Sequence, residues 1–172
     1  MSESELDRAA KQIGGDFQAL AEGLLEDVLK IARSMPPEGL NAIPEHMRNN
    51  PFSLIYHLLG SARYWIGEVV GGQPTHRVRA EEFGRTGTLE ELEERLRDAR
   101  ERLARTFANL RARDLFCRPL DLSRGVLCWG DVPPEGRTSV WVIAHDLAHI
   151  AYTLGQLERI KLLWDAKHAE SG

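Results

Sequence analysis

The stretch WVIAHDLAHIAYTLGQLERI, residues 141–160, places two histidines four residues apart in a segment that is otherwise almost entirely apolar. A regular helix turns by 100° per residue, so His145 and His149 stack one turn apart on the same face, together with Trp141, Tyr152, Gln156 and Leu163. This spacing suits the chelation of a metal ion by two side chains of one helix. The alternative is a pair of hydrogen-bonded core histidines, because two unsatisfied imidazoles are costly to bury.

The same segment contains HDLAH, which resembles the HExxH motif of metalloproteases only weakly. Asp146 has a shorter side chain than glutamate, points away from the centre of the histidine face, and is not followed by a third-ligand signature. We therefore assign no catalytic side chain from this motif.

A third histidine lies in NPFSLIYHLLGSARYWIGEVV, residues 50–70, where His57 shares a helical sector with Ser53, Ser61, Tyr64 and Glu68. If this helix neighbours the one carrying His145 and His149, the three imidazoles can form one metal site. Such ligands suit Zn²⁺ or Ni²⁺, with Fe²⁺, Co²⁺ and Mn²⁺ as alternatives. Three protein ligands leave open coordination positions, which is typical of a catalytic metal. Ser61, Glu68 and Gln156 are candidate hydrogen-bonding partners around the ligands.

Composition limits the other functions that the chain can have. Its 172 residues carry a formal net charge of −4, with no basic excess to suggest nucleic-acid binding and no apolar run long enough to span a membrane. The first residues, MSESELDRAAKQ, lack the features of a secretory signal, so we expect a cytoplasmic protein. Cys117 and Cys128 match neither a metal pair nor a disulfide framework and are expected to be free thiols.

Apolar periodicity predicts four helices in a single domain covering residues 1–172, an all-α four-helix bundle. The first covers residues 6–33, and the second begins at Asn50 and Pro51 and ends at Val70. A capping box of Thr88 and Glu91 opens the third, and the fourth begins near Thr138 or Ser139. The predicted connections are residues 34–50, 71–87 and 114–137.

The segments NNPFSLIYHLLGSARYWIGEVVGG and SVWVIAHDLAHIAYTLGQLERI resemble the DinB-like family of bacterial metal-binding four-helix bundles. The resemblance covers nearly the whole chain. It implies a bundle of up-down-down-up topology with a divalent metal on His57, His145 and His149, and often a homodimer. Small residues on the fourth helix would allow another helix to approach closely: Ala144, Ala148, Ala151 and Gly155.

Characterised members of that family resemble S-transferases and isomerases, including maleylpyruvate isomerase, that use low-molecular-weight thiols such as bacillithiol or mycothiol. The resemblance therefore implies a metal-dependent thiol S-transferase, in which a metal lowers the pKa of the thiol that attacks an electrophile. Residues 34–50 and 114–137 are expected to hold this electrophile, and no side-chain base is required. Two alternatives remain open, a metal-dependent hydrolase and a non-enzymatic stress-response or metal-binding bundle.

Overall fold

The structure is a computed structural model that describes residues 2–117 and 137–169. All the regular secondary structure in these residues is helical, and none of their helices is long and apolar enough to cross a membrane. The α-helices are α1 (Glu3–Arg33), α2 (Pro37–Asn41), α3 (Pro51–Ala62), α4 (Leu89–Ala108), α5 (Ala112–Phe116) and α6 (Ser139–Ala169). A π-helical segment (Arg63–Val70) continues α3, and a 3₁₀ turn (Arg79–Glu82) precedes α4.

Helices α1, α3 and α4 begin where capping side chains satisfy the first free amide groups. The backbone N–H of Ser53 donates to the Asn50 side chain at 2.7 Å, and Pro51 occupies the first turn of α3. The predicted capping box at the start of α4 is confirmed, since Thr88 and Glu91 bond each other's backbone amides. These local signals explain why the sequence predicts the starts of α3 and α4 correctly.

The four longest helical elements enclose one apolar core. Helices α1 and α3 each pack against both α4 and α6, and the π-helical segment packs against α4 and α6 as well. The apolar stripes of these helices meet in the centre, where the fully buried side chains include Leu25, Leu58, Leu92, Leu103, Ile143 and Ile150. Burial of this apolar surface is the main stabilising contribution to the fold.

The π-helical segment is a feature that the sequence analysis did not predict. Its hydrogen bonds join residues five apart, so its side chains do not follow the 100° rotation used for a regular α-helix. Tyr64 and Trp65 pack with Val142 in a small cluster beside the main core. Glu68, predicted to lie on the His57 face, instead accepts hydrogen bonds from the backbone and side chain of Thr75. The change in helical geometry explains this difference.

The connection between the π-helical segment and α4 lies across α3 and α4. The side chain of Gln73 donates to the carbonyl oxygen of Arg102 at 3.0 Å, and that of Asn50 donates to the carbonyl oxygen of Arg85 at 2.9 Å. Gly72 and Gly84 have positive φ angles of 64° and 72°, which glycine adopts at little cost. Residues 75–85 are thereby held against the helix that carries His57.

Candidate metal centre

Three histidines from two helices line one small cavity. His57 comes from α3, His145 and His149 come from α6, and the cavity has a volume of about 20 Å³, enough for one water-sized occupant. The ring centroids of His57 and His149 lie 5.4 Å apart and the ring planes meet at 78°. The other residues that line the cavity are Ser61, Trp65, Arg77 and Arg79.

The chemistry of this donor set fits a divalent metal, although the three rings do not yet form a complete ligand set. Two imidazoles bound tetrahedrally at about 2.0–2.1 Å have centroids roughly 5 Å apart, close to the separation of His57 and His149. In the part of the chain that the structure describes, no three His, Cys, Asp or Glu side chains are grouped so as to hold a metal ion. Coordination by all three histidines would therefore require a shift of at least one ring.

Aromatic side chains hold His145 in place. The indole of Trp141 stacks on its ring with 5.0 Å between centroids and 13° between planes. Trp65, from the π-helical segment, meets the same ring edge-on at 5.5 Å. With only 6% of its surface exposed, His145 has little rotational freedom. Trp141 was predicted to share the helical face of His145, whereas Trp65 was not predicted to lie near the site.

A buried glutamate orients His57. The Nδ1 atom of His57 lies 2.8 Å from Oε2 of Glu82 and 3.2 Å from a guanidinium nitrogen of Arg77. Because an ionised carboxylate only accepts hydrogen bonds, we assign the proton to Nδ1, which donates to Glu82. The Nε2 atom then carries the lone pair that a metal requires, as in the carboxylate–histidine–metal arrangement of known sites.

The environment keeps all three imidazoles neutral at physiological pH. Burial lowers the pKa of His57, and the hydrogen bond to Glu82 opposes this shift only in part. Burial, followed by the charge of Arg137, lowers the pKa of His145. For His149, burial and the neighbouring histidines bring the pKa down to about 4. Neutral imidazoles are the form that binds metal, so no proton has to be removed from these rings first.

Glu82 itself is ionised and fully enclosed by hydrogen-bonding partners. Burial opposes its ionisation, but hydrogen bonds from His57 and Arg77 outweigh that cost and lower the pKa of the Glu82 carboxyl. Arg77 donates through two nitrogens at 2.8 and 2.7 Å, and Arg95 approaches at 3.5 Å. The carboxylate rests against Gly60, where an added Cβ would lie 2.0 Å from Oε1. A glycine at position 60 is therefore required for this contact.

Asp146 lies beside the histidines, buried in the contact between α6 and α3. Ser61 donates a hydrogen bond to its Oδ1 atom at 2.8 Å, while Oδ2 has no partner within the described residues. Burial raises the pKa of Asp146 to about 7, although the Ser61 bond acts in the opposite direction. The sequence analysis correctly directed Asp146 away from the histidine face and identified Ser61 as a residue near the ligands. It did not predict their contact.

The remaining candidates lie elsewhere. Tyr152 is 57% exposed, and Gln156 is half-buried one turn further along α6. Cys117 is an exposed free thiol, whereas Cys128 lies outside the described residues. Most of residues 114–137, which were expected to hold the electrophile, also lie outside them. Among the described residues, the connection that borders the histidine cavity is 71–87, which was not predicted to line the site. Its sequence signal is the alternation of charged residues in HRVRAEE.

We expect Gly60→Ala to separate Glu82 from His57. The new methyl group would occupy the position of the carboxylate, whereas the Cβ of the control variant Gly67→Ala would meet Arg102 at an ordinary 3.5 Å. The ¹⁵N chemical shifts of the His57 ring should change in Gly60→Ala, as its Nδ1 proton loses its acceptor, and remain unchanged in Gly67→Ala. Unchanged shifts in Gly60→Ala would show that Glu82 does not orient the imidazole.

Asp146→Asn should stabilise the metal-free protein by an amount that depends on pH. At pH values below 3.8 the carboxyl is protonated in both the folded and the unfolded wild type. As the pH rises to about 7, the unfolded chain loses this proton while the folded chain keeps it, so the wild type loses stability relative to the variant. Urea denaturation in the presence of EDTA should show a difference in unfolding free energy that grows over this range and then levels off.

The matched control is Asp16→Asn, a change at an exposed aspartate on α1. A stability difference for Asp146→Asn that stays constant with pH, like that expected of the control, would contradict the raised pKa of Asp146.

Comparison with known proteins identifies the family. Residues 20–151, which include all three histidines, match the family described as the DinB superfamily. No curated protein sequence and no solved structure matches the chain. The family match covers α3, the π-helical segment, α4 and the part of α6 that carries His145 and His149. From this match, the chain belongs to the DinB superfamily.

Proposed function

We propose that the protein is a metal-dependent thiol S-transferase that binds a divalent metal ion, Zn²⁺ or Ni²⁺ foremost, through His57, His145 and His149. The observation that carries the proposal is the shared cavity of three neutral imidazoles, one of them oriented by a buried carboxylate. A metal bound there would lower the pKa of a coordinated thiol, or of a coordinated water in the hydrolytic alternative. We further propose that the four long helices adopt the up-down-down-up topology that the family resemblance implies.

The protein's own side chains contribute positioning and charge. Glu82 holds His57 in the tautomer that presents Nε2, and Trp141 with Trp65 limits the rotation of His145. Arg77 and Arg79 place positive charge on the cavity wall, which favours the anionic thiolate over the neutral thiol. Since the thiolate itself is the nucleophile, no side-chain base is required. The electrophile is a second small molecule that enters beside the thiol.

The first test is metal content. After loading with zinc or nickel and desalting, plasma mass spectrometry should find close to one metal per chain in the wild type. A variant with His57, His145 and His149 all changed to alanine should retain none. The control His168→Ala, at an exposed histidine near the end of α6, should bind as the wild type does. Equal metal in the triple variant and the wild type would contradict the ligand assignment.

The second part of this test separates three activities. The metal-loaded protein should consume a chloronitroaromatic electrophile only when a low-molecular-weight thiol is present, and the triple variant should not. Turnover of an ester without thiol would instead indicate a hydrolase. A rise in melting temperature with metal but no turnover of either substrate would indicate a non-enzymatic bundle.

The proposed assembly is a homodimer formed through α6. Its small residues Ala144, Ala148, Ala151 and Gly155 are all exposed in the single chain, so the backbone of another helix can approach closely. Analytical ultracentrifugation at micromolar concentration should show a dimer. Ala148→Glu should shift it to monomer by placing a charge in the contact, whereas the control Ala9→Glu, at an exposed position on α1, should not. A monomeric wild type would contradict the dimer.

A further inference from the structure

A second and larger cavity lies between residues 75–85 and the adjoining faces of α3 and α4. Its volume is about 170 Å³, and none of the three candidate metal ligands lines it. Arg77 lines both this cavity and the histidine cavity, so the two lie side by side. Binding pockets for drug-sized molecules are typically about 300–1,000 Å³, so this cavity suits a smaller compound.

Charge in the larger cavity is strongly positive for a chain of net charge −4. Four arginines line it against two glutamates: Arg63, Arg77, Arg85 and Arg95 against Glu81 and Glu82. Two positive charges are therefore in excess around one concave surface. An excess of one sign of charge around a concave surface attracts ligands of the opposite sign.

The guanidinium groups are held in place before any ligand arrives. The Arg95 guanidinium lies 3.7 Å from the ring centroid of Tyr56, and the Arg85 guanidinium lies 4.5 Å from it. Arg95 also donates from Nε to the carbonyl oxygen of Tyr56 at 3.2 Å, and Arg77 is fixed by its paired bonds to Glu82. Stacking on an aromatic ring leaves the edge of a guanidinium, where its N–H donors lie, free to bind a planar anion.

Arg85 is the arginine whose charge is least compensated. Within residues 2–117 and 137–169, no carboxylate forms an ion pair with its guanidinium, which lies over the Tyr56 ring, and the residue is exposed. Glu82 is already engaged by His57, Arg77 and Arg95, and Asp98 pairs with Arg63 and Arg102. The cavity thus presents, in Arg85, a guanidinium whose anionic partner is not supplied by the described part of the chain.

We propose that this cavity binds a small anion through a carboxylate or phosphate group, with Arg85 and Arg95 as the principal donors. Guanidinium groups match both anions because two parallel N–H donors can meet two oxygens. The site uses none of the metal ligands, so it does not depend on the proposed transferase activity. It does share Arg77 with the histidine cavity, and a bound anion would therefore lie next to the reacting centre.

Isothermal titration of the full-length, EDTA-treated protein with succinate and with inorganic phosphate tests the site, with sodium chloride at equal ionic strength as the blank. We expect saturable binding of at least one anion with one site per chain. Arg85→Ala should weaken it about tenfold, which corresponds to the loss of one charged hydrogen-bonding partner. The control Arg97→Ala removes the same charge at an exposed position on α4 and should leave the affinity unchanged.

A second variant, Arg95→Lys, keeps the charge and removes the planar fork, so it should also weaken binding if recognition is bidentate. Succinate binding alone would assign the site to a carboxylate ligand, and phosphate binding alone to a phosphorylated one. The proposal is overturned if neither anion binds above the chloride blank, or if Arg85→Ala and Arg97→Ala have the same effect. Because the experiment contains no metal, failure of the metal site would leave its result interpretable.

Discussion

The buried carboxylate of Glu82 joins the parts of the molecule on which the candidate site depends. Only 3% of this residue is exposed, and its two oxygens receive His57 from α3, Arg77 from its own connection and Arg95 from α4. A charge taken out of water is tolerated when such partners surround it, and removing one of them leaves an uncompensated charge. These charged contacts therefore help to fix the connection 71–87 to the helices.

This arrangement makes one acid serve two neighbouring cavities. On one side Glu82 selects the tautomer of His57, and on the other it fixes the guanidinium of Arg77 and approaches that of Arg95. The two cavities then differ in chemistry: the first offers neutral nitrogen donors for a cation, and the second offers cationic donors for an anion. Both cavities depend on the absence of a side chain at Gly60, because any side chain there would displace the Glu82 carboxylate.

The sequence predicts the long helices well, and His57, His145 and His149 line one cavity as their helical spacing suggested, because these signals are local. Asn50 and Thr88 start α3 and α4 by accepting hydrogen bonds from amides within a few residues. An apolar helix interrupted by histidines at helical spacing can be recognised from its own sequence, without knowing which elements pack against it. The roles of Glu82 and Arg77 are not local. Their partners lie on other elements. The sequence of the connection alone therefore does not distinguish buried ion pairs from side chains in solvent.

Two further misses have the same origin. The π-helical segment changes the rotation per residue after Ala62, so a regular helical projection misplaces Glu68 and gives no reason to bring Trp65 to His145. Asp146 was correctly placed off the histidine face. The residue that it contacts depends on how α6 packs on α3. The contact with Ser61 is a property of that pairing and of neither helix alone.

Helix α6 buries polar side chains among its apolar ones, and this burial is the strongest physical argument that it carries a functional site. It buries His145, Asp146 and Thr153 while exposing Leu162 and Leu163, together with its small residues. Burying polar groups costs free energy unless partners satisfy them, and Asp146 is satisfied only in part. The apolar core shared by α1, α3 and α4 offsets the cost, so α6 can hold polar groups suited to chemistry rather than to stability.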